Sequence, residues 1–308
     1  MQIYLPIADL PVNVFLILGM GLAVGFISGM FGIGGGFLMT PLLIFVGVSP
    51  AVAVASVASH IAASSFSGAL SYWRKRAVDL ALASLLLAGG ILGTAAGVWL
   101  FTLLRALDQL DLLIGLSYVT LLTVVGGFMI YESLRAIVRA QQGNPVPLRR
   151  PGSHTWLHGL PLKLRFKRSV IYVSAIPVWV IGFIIGFIGA IMGIGGGFLL
   201  VPMLIYFLRV PTATVIGTSM VLTLITMASA TVMHAATNHL VDAVLAFILM
   251  IGGVVGAQFG ARAGQKISGE WLRLLLGLLV LAVGLRFSFE LGVKPDDLFS
   301  IRLLERVP

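Results

Sequence analysis

Apolar runs separated by short polar turns dominate the chain, and most are too long for the core of a soluble domain. Between Leu10 and Trp73 there is no Asp, Glu, Lys or Arg, whereas one crossing of a hydrocarbon layer about 30 Å thick takes only about 20 apolar residues. The pattern predicts membrane-spanning helices over 12–30, 51–72, 80–104 and 112–131, and four more over 170–192, 212–234, 243–261 and 271–287. Two shorter apolar pieces, 37–48 and 198–208, each follow a glycine cluster. At about 1.5 Å per residue neither crosses the layer without its flanks. The opening stretch, MQIYLPIADLPVNVF, lacks the basic segment and small-residue cleavage site of a signal peptide, so the first apolar run is expected to be a retained helix.

The runs fall into two related halves. Placing Gly32 on Gly193 pairs 25–50 with 186–211, and fourteen of those twenty-six positions are identical without a gap. After a shift of two residues, GGILGTAAG from Gly89 pairs with GGVVGAQFG from Gly252. Charge then orients the halves. Arg74, Lys75 and Arg76 follow the third segment of the first half, but the matching turn, AATNHLVD, has no Lys or Arg. At the next turn the bias reverses: Arg105 stands alone, against Arg262, Lys266 and Arg273 in the second half. Basic turns face the cytoplasm, so equivalent turns are expected on opposite membrane faces.

That requires an odd number of crossings per half, with each short piece completing a fifth, broken crossing. The expected fold is an all-α polytopic membrane protein built from inverted repeats of about five segments each, eight long spans plus two short broken ones, with both termini outside. Four plus four crossings with re-entrant short pieces is the alternative. Residues 1–131 form the first membrane repeat and 170–290 the second. Between them, 132–169 reads as a basic cytoplasmic linker holding eight of the twenty Lys and Arg residues, and 291–308 as a C-terminal tail.

Composition narrows the function. A hydrophobic share of 59% and a mean hydropathy of +1.07 belong to a membrane protein. The net charge of +9 sits in short clusters without interleaved aromatic residues, which fits cytoplasmic turns and not a nucleic-acid surface. Cysteine is absent, removing disulfides, thiol nucleophiles and Cys-based metal sites. No His spacing suggests a metal, and no cofactor is expected.

Glycine serves two purposes here. Gly21, Gly25 and Gly29, then Gly89, Gly93 and Gly97, then Gly252, Gly256, Gly260 and Gly264 recur four apart, the spacing of close helix contacts in membranes. The clusters GIGGGF at 32–37 and 193–198 are different, because consecutive glycines unwind a helix. Unwound backbone at membrane depth survives only when buried in protein or lining a wet cavity. Each break precedes a short helix, so free N–H groups and a positive helix end would point into it and hold an anion without a buried Lys or Arg. The expected substrate-binding donors are Gly34, Gly35, Gly36, Gly195, Gly196 and Gly197, with Gly32, Pro41, Gly193 and Pro202 as structural breaks. A tight turn between helices is the alternative.

The stretch ASVASHIAASSFSG puts Ser56, Ser59, His60, Ser64 and Ser67 on one helix face, and its partner GTSMVLTLITMASAT carries Thr218, Ser219, Thr223 and Thr226. Hydroxyls suit an oxyanion, since they donate hydrogen bonds without fixed charge, although back-bonding to helix carbonyls is the ordinary role. Ser56, Ser59, Thr218 and Ser219 are the hydroxyl candidates. His60, an ionisable group inside the first uncharged run, is the candidate for proton coupling or for a ligand. Asp79 and Asp242 match across the halves and read as helix caps.

GMFGIGGGFLMTPLLIFVGV and GALSYWRKRAVDL in the first half, and GIGGGFLLVPMLI with VIGTS in the second, resemble the TauE/SafE family of sulfite exporters over about 12–287. The resemblance implies a multi-pass carrier in the cytoplasmic membrane for small sulfur-containing anions, sulfite or organosulfonates such as sulfoacetate. Family members often carry an amide pair where Ser59 and His60 stand, and an aromatic followed by Gln where Val221 and Leu222 stand, so the lining differs here. The expected function is secondary transport of such an oxyanion by alternating access at a midplane site, with the lipid bilayer and the anion as partners. A channel or a non-transporting assembly subunit is the rival reading. An intramembrane enzyme fits less well, because His60 and the hydroxyls have no partner acid in that run.

Overall fold

The computed structural model describes residues 2–31, 36–74, 76–141, 162–166, 169, 171–206, 212–264 and 269–292. Each half opens with a feature that hydropathy misses, a hairpin of four-residue strands. β1 (Gln2–Leu5) pairs antiparallel with β2 (Leu10–Asn13), and β3 (Lys163–Phe166) with β4 (Ile171–Ser174). Five helices follow each hairpin. The first half has α1 (Val14–Phe31), α2 (Gly36–Phe45), α3 (Pro50–Arg74), α4 (Leu80–Ala106) and α5 (Leu110–Gln141). The second has α6 (Ala175–Met192), α7 (Gly197–Tyr206), α8 (Thr212–Met233), α9 (Ala243–Gly264) and α10 (Gly269–Gly292), with a π-helical turn, His234–Asn238, closing α8.

The fold is all-α and polytopic, as the apolar runs foretell. Seven of the described helices are long and apolar enough to cross a membrane: α1, α3, α4, α5, α6, α8 and α9. Of α10, which covers the eighth expected span, the described apolar stretch is Leu274–Phe289. Large apolar side chains such as Phe15, Trp99, Val124 and Phe247 face outward, where lipid covers them. Of the range read as linker, helix α5 and strand β3 occupy the two ends, and 142–161 lies outside the described residues. Pro41 and Pro202 lie inside α2 and α7, so neither starts its short helix.

Packing follows the glycine ridges and is crosswise. Gly21, Gly25 and Gly29 of α1 meet Leu249, Gly253 and Ala257 of α9 in ascending order, so those helices run parallel. Their equivalents behave alike: Gly89, Gly93 and Gly97 of α4 meet Trp179, Phe183 and Phe187 of α6. A Cβ at Gly97 would lie 2.7 Å from the Phe187 carbonyl oxygen, a separation that only a missing side chain permits. Equivalent helices instead run antiparallel. Gly126 and Gly284 bring α5 and α10 together in opposed order, and Gly68 against Met220 with Gly217 against Tyr72 does the same for α3 and α8. His60 of α3 meets Gly253 of α9, while Arg74 and Arg262 share one end, so α3 also runs parallel to α9 and hence to α1. The segment 36–49, α2 included, therefore runs back between α1 and α3.

Two aspartates fasten this arrangement. Asp79 caps α4, accepting from the Leu82 N–H at 3.3 Å, and its other oxygen accepts from the Ser169 N–H and hydroxyl at 2.9 and 2.8 Å. Asp242 accepts from Val244 and Leu245 at the start of α9, and from the Ile7 and Ala8 N–H groups at 2.9 and 3.4 Å. Each half's hairpin turn is thus held by an aspartate of the other half. Their own N–H groups donate to Thr218 and Ser56 respectively, at 3.2 and 3.0 Å. Asp242→Ala leaves the buried Leu245 N–H unmatched, at a cost of about 1–3 kcal/mol, and frees three part-buried N–H groups at Ile7, Ala8 and Val244. Its expected result is a lower melting temperature, with fast amide exchange at Ile7 and Ala8. An unchanged melting temperature would mean that the hairpin is not held this way.

Candidate functional site

The second glycine cluster is described in full. Gly193 ends α6 in the left-handed region (φ 66°), with its N–H donating to the Gly189 carbonyl at 2.9 Å. Gly195 (φ 77°) and Gly196 (φ 52°) keep the chain left-handed before α7 begins. A side chain there is doubly excluded, because a Cβ at Gly195 or Gly196 would lie 2.6 Å from Cγ2 of Ile61 or of Ile185. Residues 193–198 are all buried.

The carbonyls of the break are occupied. Tyr118 donates its hydroxyl to the Met192 carbonyl at 2.6 Å, Thr223 to Gly195 at 3.0 Å, and Thr40 to Gly193 at 3.5 Å. The N–H groups of Ile194, Gly195 and Gly196 donate to no acceptor among the described residues. Buried amides call for a partner, and these precede a helix whose dipole is positive at that end. The geometry suits an anion.

Gly32, Gly34 and Gly35 of the first cluster lie outside the described residues. Gly36, however, opens α2 directly against the second break: a Cβ there would lie 2.6 Å from the Gly193 carbonyl oxygen and 2.7 Å from that of Ile194. The next residue, Phe37, stacks on its repeat equivalent Phe198, with ring centroids 4.6 Å apart and planes at 15°. Gly36 and Phe37, at the start of α2, therefore meet the second glycine stretch in the core.

The hydroxyl candidates make bonds within the scaffold. Ser56 and Thr218 accept from the aspartate N–H groups, while Ser59 and Ser219 donate back to the Ser56 and Ile216 carbonyls at 2.6 and 2.9 Å. Matching roles pair Ser56 with Thr218, which places Leu222, and not Val221, opposite His60. The hydroxyl that reaches the break is Thr223, one turn beyond Ser219. His60 faces α9, not the break: Nδ1 lies 2.8 Å from the Leu249 carbonyl oxygen, the ring fills the space left by Gly253, and Nε2 is buried without a partner. Its neighbour Ile61 is the side chain that packs on Gly36 and Gly195. Tyr118 and Thr40 carry no sequence signal, since their hydroxyls find partners far along the chain.

The family model for the sulfite exporter TauE/SafE matches residues 17–287, which includes both glycine breaks. The chain belongs to the TauE/SafE family. Similar proteins bear transporter names. A probable membrane transporter protein of Xylella fastidiosa (strain 9a5c) is 30% identical over 283 residues, covering 89% of this chain and 94% of that one. The probable membrane transporter protein YjnA of Bacillus subtilis (strain 168) is 26% identical over 270 residues, covering 87% and 96%. No solved structure matches. TauE/SafE membership and the apolar helices make this chain a multi-pass membrane permease, from a family of transporters and not of enzymes.

Proposed function

We propose that this permease carries a small sulfur-containing oxyanion, sulfite or an organosulfonate, across the cytoplasmic membrane by alternating access around the paired glycine breaks. The observation that carries the reading is the row of buried amides at 194–196 that find no acceptor among the described residues, next to the stacked Phe37 and Phe198. By the duplication, Gly34 and Gly35 supply matching donors from the other side. Gly36 keeps the approach close, Gly197 opens α7 after the break, and Thr223 holds the Gly195 carbonyl so that the amides face inward. Ser56, Ser59, Thr218 and Ser219 act one step back, bracing the helices that frame the site.

Alternating access suits inverted halves. The antiparallel packing of α3 on α8 and of α5 on α10 supports that arrangement, as does the crosswise pairing of α1 with α9 and of α4 with α6. Arg74 and Arg262 then share one membrane face, which the positive-inside rule assigns to the cytoplasm. The termini fall outside.

The test is counterflow of labelled sulfite or sulfoacetate in proteoliposomes. Saturable exchange confined to such anions is expected; flux that rises linearly and ignores anion identity would indicate a channel instead. His60, buried with an unpartnered Nε2, is the group we assign to proton coupling. His60→Gln is expected to keep exchange at equal pH but lose its acceleration by a pH gradient. Equal acceleration in both proteins would remove that role.

A further inference from the structure

A second polar site lies away from the glycine breaks. Between the helix pairs α1/α9 and α3/α8, a cavity of about 380 Å³ is lined by Ser28, Ser64, Ser67, Gln258, Arg74 and Arg262, among others. No Asp or Glu lines it among the described residues. Neither arginine forms an ion pair with a described residue. The lining therefore offers two fixed positive charges together with hydroxyl and amide groups, a set that matches oxyanions and repels cations.

Its floor leads to the breaks. Ser64, fully buried, donates to the Ile61 carbonyl at 3.1 Å, and Ile61 is the side chain packed on Gly36 and Gly195. One helical turn separates Ser64 from Ile61, and the Ile61 side chain stands between the cavity and the break.

The equivalent place in the other half is sealed. His234, which the duplication matches to Tyr72, is fully buried, donates from Nε2 to the Ala190 carbonyl at 3.2 Å, and meets the Phe101 ring edge-on at 4.6 Å. The Asn238 amide donates to His234 Nδ1 at 3.2 Å. Thr102 and Arg105 donate to the Asn238 side-chain and backbone oxygens at 3.0 and 2.9 Å. The π-helical turn that bears both residues forms the plug. The bundle is open on the face bearing Arg74 and Arg262 and closed on the face bearing Arg105.

We propose that this cavity is an oxyanion-binding vestibule on the cytoplasmic face, where Arg74 and Arg262 collect the anion before it passes Ile61 to the glycine breaks. The direction of passage rests on the carrier reading above; the binding itself does not. An anionic lipid headgroup shares the chemistry, so the source of the oxyanion has to be separated by experiment.

The chain contains no cysteine, so Ser67→Cys supplies a single thiol. In membrane vesicles an impermeant anionic thiosulfonate is expected to modify it from the cytoplasmic side on the order of tenfold faster than a cationic one, with sulfoacetate slowing both. Arg74→Gln combined with Arg262→Gln should bring the two rates together and abolish protection, and lysine at both positions should restore the preference. Gln258→Cys repeats the measurement from the facing helix if Ser67→Cys does not fold. Modification only from the opposite face, equal rates for the two reagents in the parent, or protection unchanged in the double Gln variant overturns the proposal. Sulfoacetate protection in purely zwitterionic lipid supports a soluble ligand. Slow labelling that needs phosphatidylglycerol and ignores sulfoacetate assigns the cavity to a headgroup and overturns it. Protection without any counterflow would sink the carrier reading alone, and counterflow without protection would sink the vestibule alone.

Discussion

Gly196→Leu is expected to abolish sulfoacetate counterflow in proteoliposomes. At this position φ is 52°, and even a Cβ would lie 2.6 Å from Ile185 Cγ2, so any larger side chain forces the backbone to turn and its amide to swing away. A left-handed conformation costs an ordinary residue about 1–2 kcal/mol, and buried crowding adds to it. Gly196→Ala with Ile185→Ala separates the causes, because the second change removes the crowding and leaves the conformational demand. That double variant should fold normally and still lose most transport. Thr223→Val, which takes only the hydrogen bond from the Gly195 carbonyl, should fall between them, with transport reduced about tenfold if the bond is worth about 1.4 kcal/mol. Parental counterflow in Gly196→Leu would mean that the amides do not touch the solute.

The second large effect concerns folding. Gly93→Leu is expected to leave little monodisperse protein after extraction, because its Cβ would overlap the Phe183 carbonyl where α4 lies on α6. Separating two helices that touch along a glycine ridge forfeits contact along the whole ridge, and overpacking of a core costs about 1–3 kcal/mol even where side chains can move. Backbone cannot yield as a side chain does. Gly19 and Gly127 are the controls: no atom lies within 4 Å of a Cβ built there. Alanine at either should hold or raise the melting temperature, since it is about 1 kcal/mol better than glycine inside a helix. The comparison is read by size-exclusion yield and thermal unfolding. Normal yield for Gly93→Leu would contradict the close approach.

Much of this fold was legible because its strongest signals are local. The charge-free run from Leu10 to Trp73 demands membrane helices, and GIGGGF demands a break, whatever the partners. The four-residue ridges gave the correct contact faces, and the caps at Asp79 and Asp242 were readable from their place ahead of apolar runs. The hairpins were not readable. LPVN and IYVS run straight into the apolar helices they precede, and four residues are too few to set one periodicity against another. The scaffold bonds of the hydroxyls were hidden for another reason. A serine can donate or accept, and Ser56 accepts from Asp242, far off in the chain, which no spacing within its own helix discloses. Thr223 and Ser219 stand one turn apart on the same face of α8, yet only Thr223 reaches the break, because its height along the helix, set by packing on α3 and α4, is level with Gly195. The same dependence on neighbours turns His60 toward Gly253.

The crosswise grip of the two halves has a bearing on how such a chain could have arisen and how it is made. The first helix of each half lies on the fourth of the other, and each hairpin turn is fastened by the other half's aspartate. A lone half therefore has its principal mating surfaces uncovered, and an ancestral gene encoding only one could have built this architecture solely as a pair of identical subunits. During synthesis the same geometry leaves α1 and the opening hairpin without their mates until the ribosome has passed Asp242, so the earliest elements made are among the last to be secured.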